Sequence, residues 1–159
     1  MRIVAYVIIL AALFFAPVQS AEIAKLEPIQ AVWLRTEGET VCLTTDTGDE
    51  GSGTTVEDAL TDMKATSAGI VYLDTAQYLL VSQSAVNKIP AIQPYLRKSI
   101  RLYLWDGQGN FDEAVKYAEA HNLGITVKQW NSGEELKKIP TKKEKIALFS
   151  AGFPLGKSM

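Results

Sequence analysis

The chain of 159 residues suits a single domain, and a hydrophobic content of 47 % is enough to build a real core. A formal net charge of −2 argues against a nucleic-acid binder, because a phosphate backbone selects a basic face. One cysteine excludes a disulfide framework within the chain, and one histidine beside it supplies no metal-ligand cluster.

The N-terminal segment reads as a secretory signal. Arg2 precedes an apolar run of 14 residues, Ile3 to Ala16, followed by Pro17 and small residues before Ala21. That run falls short of the roughly 20 residues needed to span a bilayer. The expected organisation is a signal peptide over 1–20 cleaved between Ser20 and Ala21, a domain over 30–140, and a basic tail over 141–159. Cys42 lies too far from the apolar run to carry a lipid, so no lipid anchor is expected. The charge is unevenly spread: Glu22 to Asp74 holds eleven acidic and three basic residues, whereas Thr126 to Met159 holds seven lysines and three glutamates. A solvated acidic loop and a basic tail account for this asymmetry, and a surface that steers a partner is the alternative.

"AVWLRTE" and "TVCLTT" flank "EGE" and predict a hairpin turning at Gly38. "DTGDEGSG", Asp46 to Gly53, comes next as an acidic loop; its carboxylates lack the alternation of a calcium loop. Thr54 and Glu57 have capping-box spacing at the start of a helix. Its buried stripe is Val56, Ala59, Leu60 and Met63, with Asp58 and Asp62 toward water. "AGIVYL" and "QYLLVS" are β-rich runs whose continuous apolarity suits a sheet covered on both faces. In "SAVNKIPAIQPYLRKS", Pro90 falls near the start of a short helix, and Pro94 interrupts that helix. "IRLYLW" reads as a strand with one face more apolar than the other. "NFDEAVKYAEAHNLG" is the clearest helix, with Asn110 and Glu113 as caps, Phe111, Ala114, Val115 and Ala118 as the stripe, and Gly124 as the left-handed stop. "ITVKQW" reads as a strand, and "SGEELKKI" as a short capped helix.

The stretch "IRLYLWDGQGNFDEAV" has the strand–turn–helix outline of a nucleotide-binding loop. Gly107 and Gly109 fit G-x-G-x-x-G, but the third position is Asp112, whose carboxylate competes for the helix N-terminus that a phosphate needs. Aligned as a calcium loop, Asp106 and Gln108 occupy ligand positions and Phe111 the apolar eighth, while Leu104 and Val115 fall at the terminal ligand positions and cannot bind calcium. The stretch is therefore read as a capped connection.

Single residues add no catalytic constellation. Cys42 sits in an apolar strand-like run and reads as a buried small hydrophobe. His121 lies one turn beyond Tyr117, with no nucleophile elbow anywhere in the chain. Asp74 stands between two β-rich runs as a turn residue, and Trp33, Trp105 and Trp130 read as amphipathic strand residues. No catalytic, cofactor-binding or metal-binding residue is assigned.

One pattern resembles a known family. It runs from "GSGTTVEDALTDM" through "IVYLDTAQYLLVSQSAV" to "IQPYLRKSIRLYLWDGQGNFDEAVKY", about residues 30 to 120. Gly53, Thr55, Asp58, Ala59 and Leu60 fit a G-x-(T/S)-x-x-E-A-L helix start, and Tyr95 to Leu104 fits the segment that feeds the next strand. This is similar to the N-terminal domain of the Ger(x)C family, the C subunits of spore germinant receptors. The chain departs from that family in lacking a lipobox cysteine. The resemblance implies a non-enzymatic partner of membrane proteins in an endospore-forming bacterium.

The expected fold is α/β or α+β: one small domain with a mixed sheet and three to four helices after the signal. The expected function is a secreted or membrane-face interaction domain with a protein partner. The alternative is a small secreted ligand-binding protein or hydrolase using carboxylates and hydroxyls.

Overall fold

The computed structural model describes residues 28–140. The expected signal segment, 1–20, and tail, 141–159, lie outside them. The described chain forms one α/β domain around a mixed sheet of seven strands: β1 (Ala31–Glu37), β2 (Thr40–Thr45), β3 (Glu50–Gly53), β4 (Tyr78–Val81), β5 (Arg101–Leu104), β6 (Ile125–Thr126) and β7 (Lys137–Lys138). The order is β3-β2-β1-β4-β5-β6, with β7 also on β5. β1, β4 and β5 run parallel at the centre, and the β1–β2–β3 meander is antiparallel. Helices α1 (Val56–Thr66), α2 (Ile89–Ile92), α3 (Phe111–His121) and α4 (Val127–Asn131) cover the sheet.

The pleat sends alternate side chains to opposite faces, and both faces are buried. Val32, Leu34, Leu79, Val81 and Leu102 join α1, α2 and α4 in one core. Ala31, Tyr78, Leu80, Tyr103 and Trp105 pack against Ala114, Val115 and Ala118 of α3 in the other. The strand "IRLYLW" is therefore buried on both sides: Tyr103 and Trp105 are as enclosed as Leu102 because α3 lies over them. The hairpin turns at Gly38, whose φ of 62° is the left-handed value a tight turn requires. The α1 stripe of Val56, Ala59, Leu60 and Met63 is buried as its spacing predicts.

Several local expectations are corrected. The cap of α1 is Thr55 paired with Asp58, one residue later than Thr54 with Glu57. Thr55 Oγ1 accepts from the Asp58 amide at 3.1 Å, and Asp58 Oδ2 accepts from the Thr55 amide at 3.1 Å and the Thr54 hydroxyl at 2.8 Å. The end of the supposed acidic loop is β3, because Gly51 and Gly53 let α1 lie directly against the chain. A Cβ on Gly51 would collide with Ala59 O and stand 2.6 Å from Met63 Cβ. Asp46 closes that loop by accepting from the amides of Gln30 and Ala31.

"AGIVYL" forms no strand: Ile70 and Tyr72 are exposed, and the run ends in a 3-10 turn at Leu73–Thr75. The stop of α3 is Asn122, at φ 45°, one of the few side chains that tolerate this conformation. Gly124 serves packing instead, with the Tyr103 ring where its Cβ would stand. "ITVKQW" pairs only at Ile125 and Thr126. Thr126 then caps α4 in a box with Gln129, which turns Val127 into the first core. "SGEELKKI" is not helical, because Lys137 and Lys138 align parallel to Tyr103 and Leu104.

Candidate functional site

The sheet has a topological switch between β1 and β4. From β1 the chain moves one way to β2 and β3, then returns through α1 to β4 on the other side of β1. In open α/β sheets a crevice forms outside the carboxyl ends of the strands at such a point, and ligands bind there. Here the crevice encloses about 410 Å³. Arg35, Thr36 and Glu37 come from the end of β1, Ser82, Gln83 and Ser84 lie just after β4, and Asp106 and Gly107 just after β5.

The crevice walls are fixed by packing and by hydrogen bonds. Trp33, Trp105 and Phe111 form an aromatic wall, with Trp33 and Trp105 centroids 4.6 Å apart. Gly107, at φ 76°, passes so close that a Cβ would stand 2.7 Å from Trp33 Cζ2. Arg35 stacks its guanidinium 4.6 Å over the Trp33 ring, a cation–π contact. Asp106 Oδ1 accepts from the Gln83 amide at 3.2 Å and so ties the β4 and β5 loops together. Ser84 Oγ donates to Thr36 O at 3.4 Å, and the Ser82 and Ser84 hydroxyls share a bond of 3.0 Å.

Among the described residues, three buried polar side-chain atoms have no hydrogen-bond partner: Trp33 Nε1, Arg35 Nε and Thr44 Oγ1. Two of them, on Trp33 and Arg35, belong to residues that line the crevice. Arg35 Nε stands 3.2 Å from Glu37 Oε1, a charge contact without hydrogen-bond alignment. Lys138 Nζ stands 3.9 Å from Asp106 Oδ2, so two cations and two carboxylates balance around the crevice.

A second concavity of about 720 Å³ lies between the proline-rich segment and α4. Pro90, Pro94, Leu96 and Val127 line it with apolar surface, and Arg97, Lys98 and Lys128 also line it. Arg97 donates to Ser99 Oγ at 2.7 Å, and no carboxylate among the described residues pairs with the three cations.

Asp74, His121, Cys42 and the three tryptophans are dispersed over the fold. Asp74 is exposed at the amino end of β4, the opposite end from the crevice. His121 is exposed at the end of α3, its ring stacked on Tyr117 and its Nδ1 2.9 Å from Tyr117 O. Cys42 is buried in β2. Trp33 and Trp105 come together, whereas Trp130 packs against the core on the other side of the sheet. The stretch from Asp106 to Asn110 is a capped connection, with Asn110 Oδ1 accepting from the Asp112 amide at 2.9 Å. It also supplies one side of the crevice. Sequence reading did not single out Arg35, Ser82 or Ser84; the signal that could have found them is their place just at or beyond the ends of successive parallel strands.

Among the described residues, no three His, Cys, Asp or Glu side chains gather as metal ligands, and no helix is long and apolar enough to cross a membrane. Comparisons with protein-family models, curated proteins and solved structures find no match for the chain.

Proposed function

We propose that this protein is an exported, non-catalytic recognition domain that takes an apolar, negatively charged segment of a partner protein into the cleft beside α4. The observation that carries this reading is the combination of apolar lining with three lining cations, none matched by a described carboxylate. Apolar surface supplies affinity there, and the cations select the sign of the partner and speed its approach. The volume of about 720 Å³ suits a few side chains of a bound segment. The resemblance of residues 30–120 to Ger(x)C proteins supports a membrane protein as that partner. The layout of residues 1–20 supports export.

A photo-crosslinking residue at Gln93, on the cleft lining, tests the reading in membranes of the source organism. The expected result is one dominant cross-linked membrane protein, lost when Lys98→Glu and Lys128→Glu are combined. Cross-linking that persists unchanged in the double variant, or none at all, would overturn it.

A further inference from the structure

We propose that the crevice at the carboxyl ends of β1, β4 and β5 binds a small hydroxy carboxylate, with the Arg35 guanidinium as its anchor. This site is separate from the cleft beside α4, and the inference does not rest on the function proposed for that cleft.

The anchor is Arg35. A guanidinium carries five N–H donors in a rigid fork that matches a carboxylate. None of those donors has hydrogen-bond geometry to a described residue, and Nε is buried without a partner. Stacking on Trp33 holds the group in one plane, so little freedom is lost when a ligand arrives. The Arg35 side chain is 29 % exposed and Nε faces Glu37, so the two Nη groups of the fork stay open to a bidentate acceptor.

The rest of the crevice limits the class of ligand. Glu37 and Asp106 both line it, and their charges would repel a dianion such as a phosphate monoester. Asp106 faces Lys138 and Glu37 faces Arg35, so a monoanionic ligand shares the Arg35 guanidinium with Glu37. Both carboxylates keep lone pairs that can accept from hydroxyl groups, and Ser82 and Ser84 offer hydroxyls of their own. A monoanion carrying hydroxyls matches this lining better than a bare fatty acid or an uncharged sugar.

Titration calorimetry of the mature chain with glycerate and gluconate tests the proposal. Glycerol and glucose lack the carboxylate, and acetate lacks the hydroxyls. The expected result is saturable binding of glycerate or gluconate, at least about tenfold tighter than any of the three controls. Arg35→Gln should abolish it. Arg35→Lys keeps the charge without the fork and should weaken it at least about tenfold. If Arg35→Gln fails to fold by circular dichroism, the lysine variant decides. Absence of binding by both acids, equal binding of glycerol or glucose, or an Arg35→Lys variant that binds as the parent does, would overturn the assignment.

Discussion

Asp62 of α1 reaches across to β3, where its Oδ2 accepts from the Ser52 amide at 2.9 Å. One turn later, Thr66 Oγ1 donates to Glu50 O at 3.2 Å. The two helix side chains thereby occupy backbone groups on the side of β3 that faces away from β2. Sequence periodicity puts Asp62 toward water, yet its position in the fold makes it the cover of a sheet edge. Exposed edges invite pairing with other chains, so this cover bears on solubility as well as stability.

Asp62→Ala should therefore cost about 1 kcal/mol and promote self-association, whereas Asp62→Asn, which keeps an acceptor oxygen, should do less of both. Urea melts and sedimentation velocity on the two variants read these effects. An alanine variant as stable and monomeric as the parent would show that the edge is protected by other means.

Leu60 lies at the centre of the α1 stripe and is 4 % exposed, so Leu60→Ala should cost about 2–5 kcal/mol. Thr55→Ala removes the helix cap and should cost about 0.5–2 kcal/mol. Denaturant midpoints test both, and the reverse ranking would mean that the cap outweighs the core at this helix.

Asp58 is held below the ordinary carboxylate value, first by the Thr54 hydroxyl and then by the Thr55 hydroxyl. Because the folded value is depressed, the stability that this group adds is present above the unfolded-state value and is lost as pH falls through the folded one. The melting difference between the parent and Asp58→Asn should accordingly be seen at neutral pH and shrink in acid. A difference that stays constant with pH would assign the effect to shape and not to charge.

Gly51 has no room for a side chain, since the backbone of α1 at Ala59 and Met63 fills the space. Backbone cannot rotate away as a side chain can. Gly51→Ala should therefore cost at least about 1–3 kcal/mol by prying α1 from β3. Hydrogen exchange should show the loss concentrated in Val56–Thr66, and uniform exchange across the sheet would contradict this account.

Tyr78 has its phenol pushed up, chiefly by burial and next by the charge of Glu119. A folded value above the unfolded one means that its contribution is complete below the unfolded-state value and disappears as pH rises through the folded value. In alkaline melts the parent should lose stability that Tyr78→Phe retains. Parallel curves for the two proteins would remove Tyr78 from the cause.

The class of fold, the hairpin at Gly38, the faces of α1 and α3, and the Asn110 cap are all legible in local sequence. These arise from interactions within a few residues: side-chain periodicity, a hydroxyl or amide at a helix start, a glycine at a turn. Tertiary structure decided β3 and β7, because "EGSG" and "KK" have no preference for a strand and pair only when a neighbour offers its edge. It also ended "ITVKQW" after two strand residues, since Thr126 and Gln129 close a cap once Val127 finds the core. The crevice was the least legible feature. Arg35, Ser84 and Asp106 stand in separate segments, each ordinary in its own, and only the parallel pairing of β1, β4 and β5 brings their ends together.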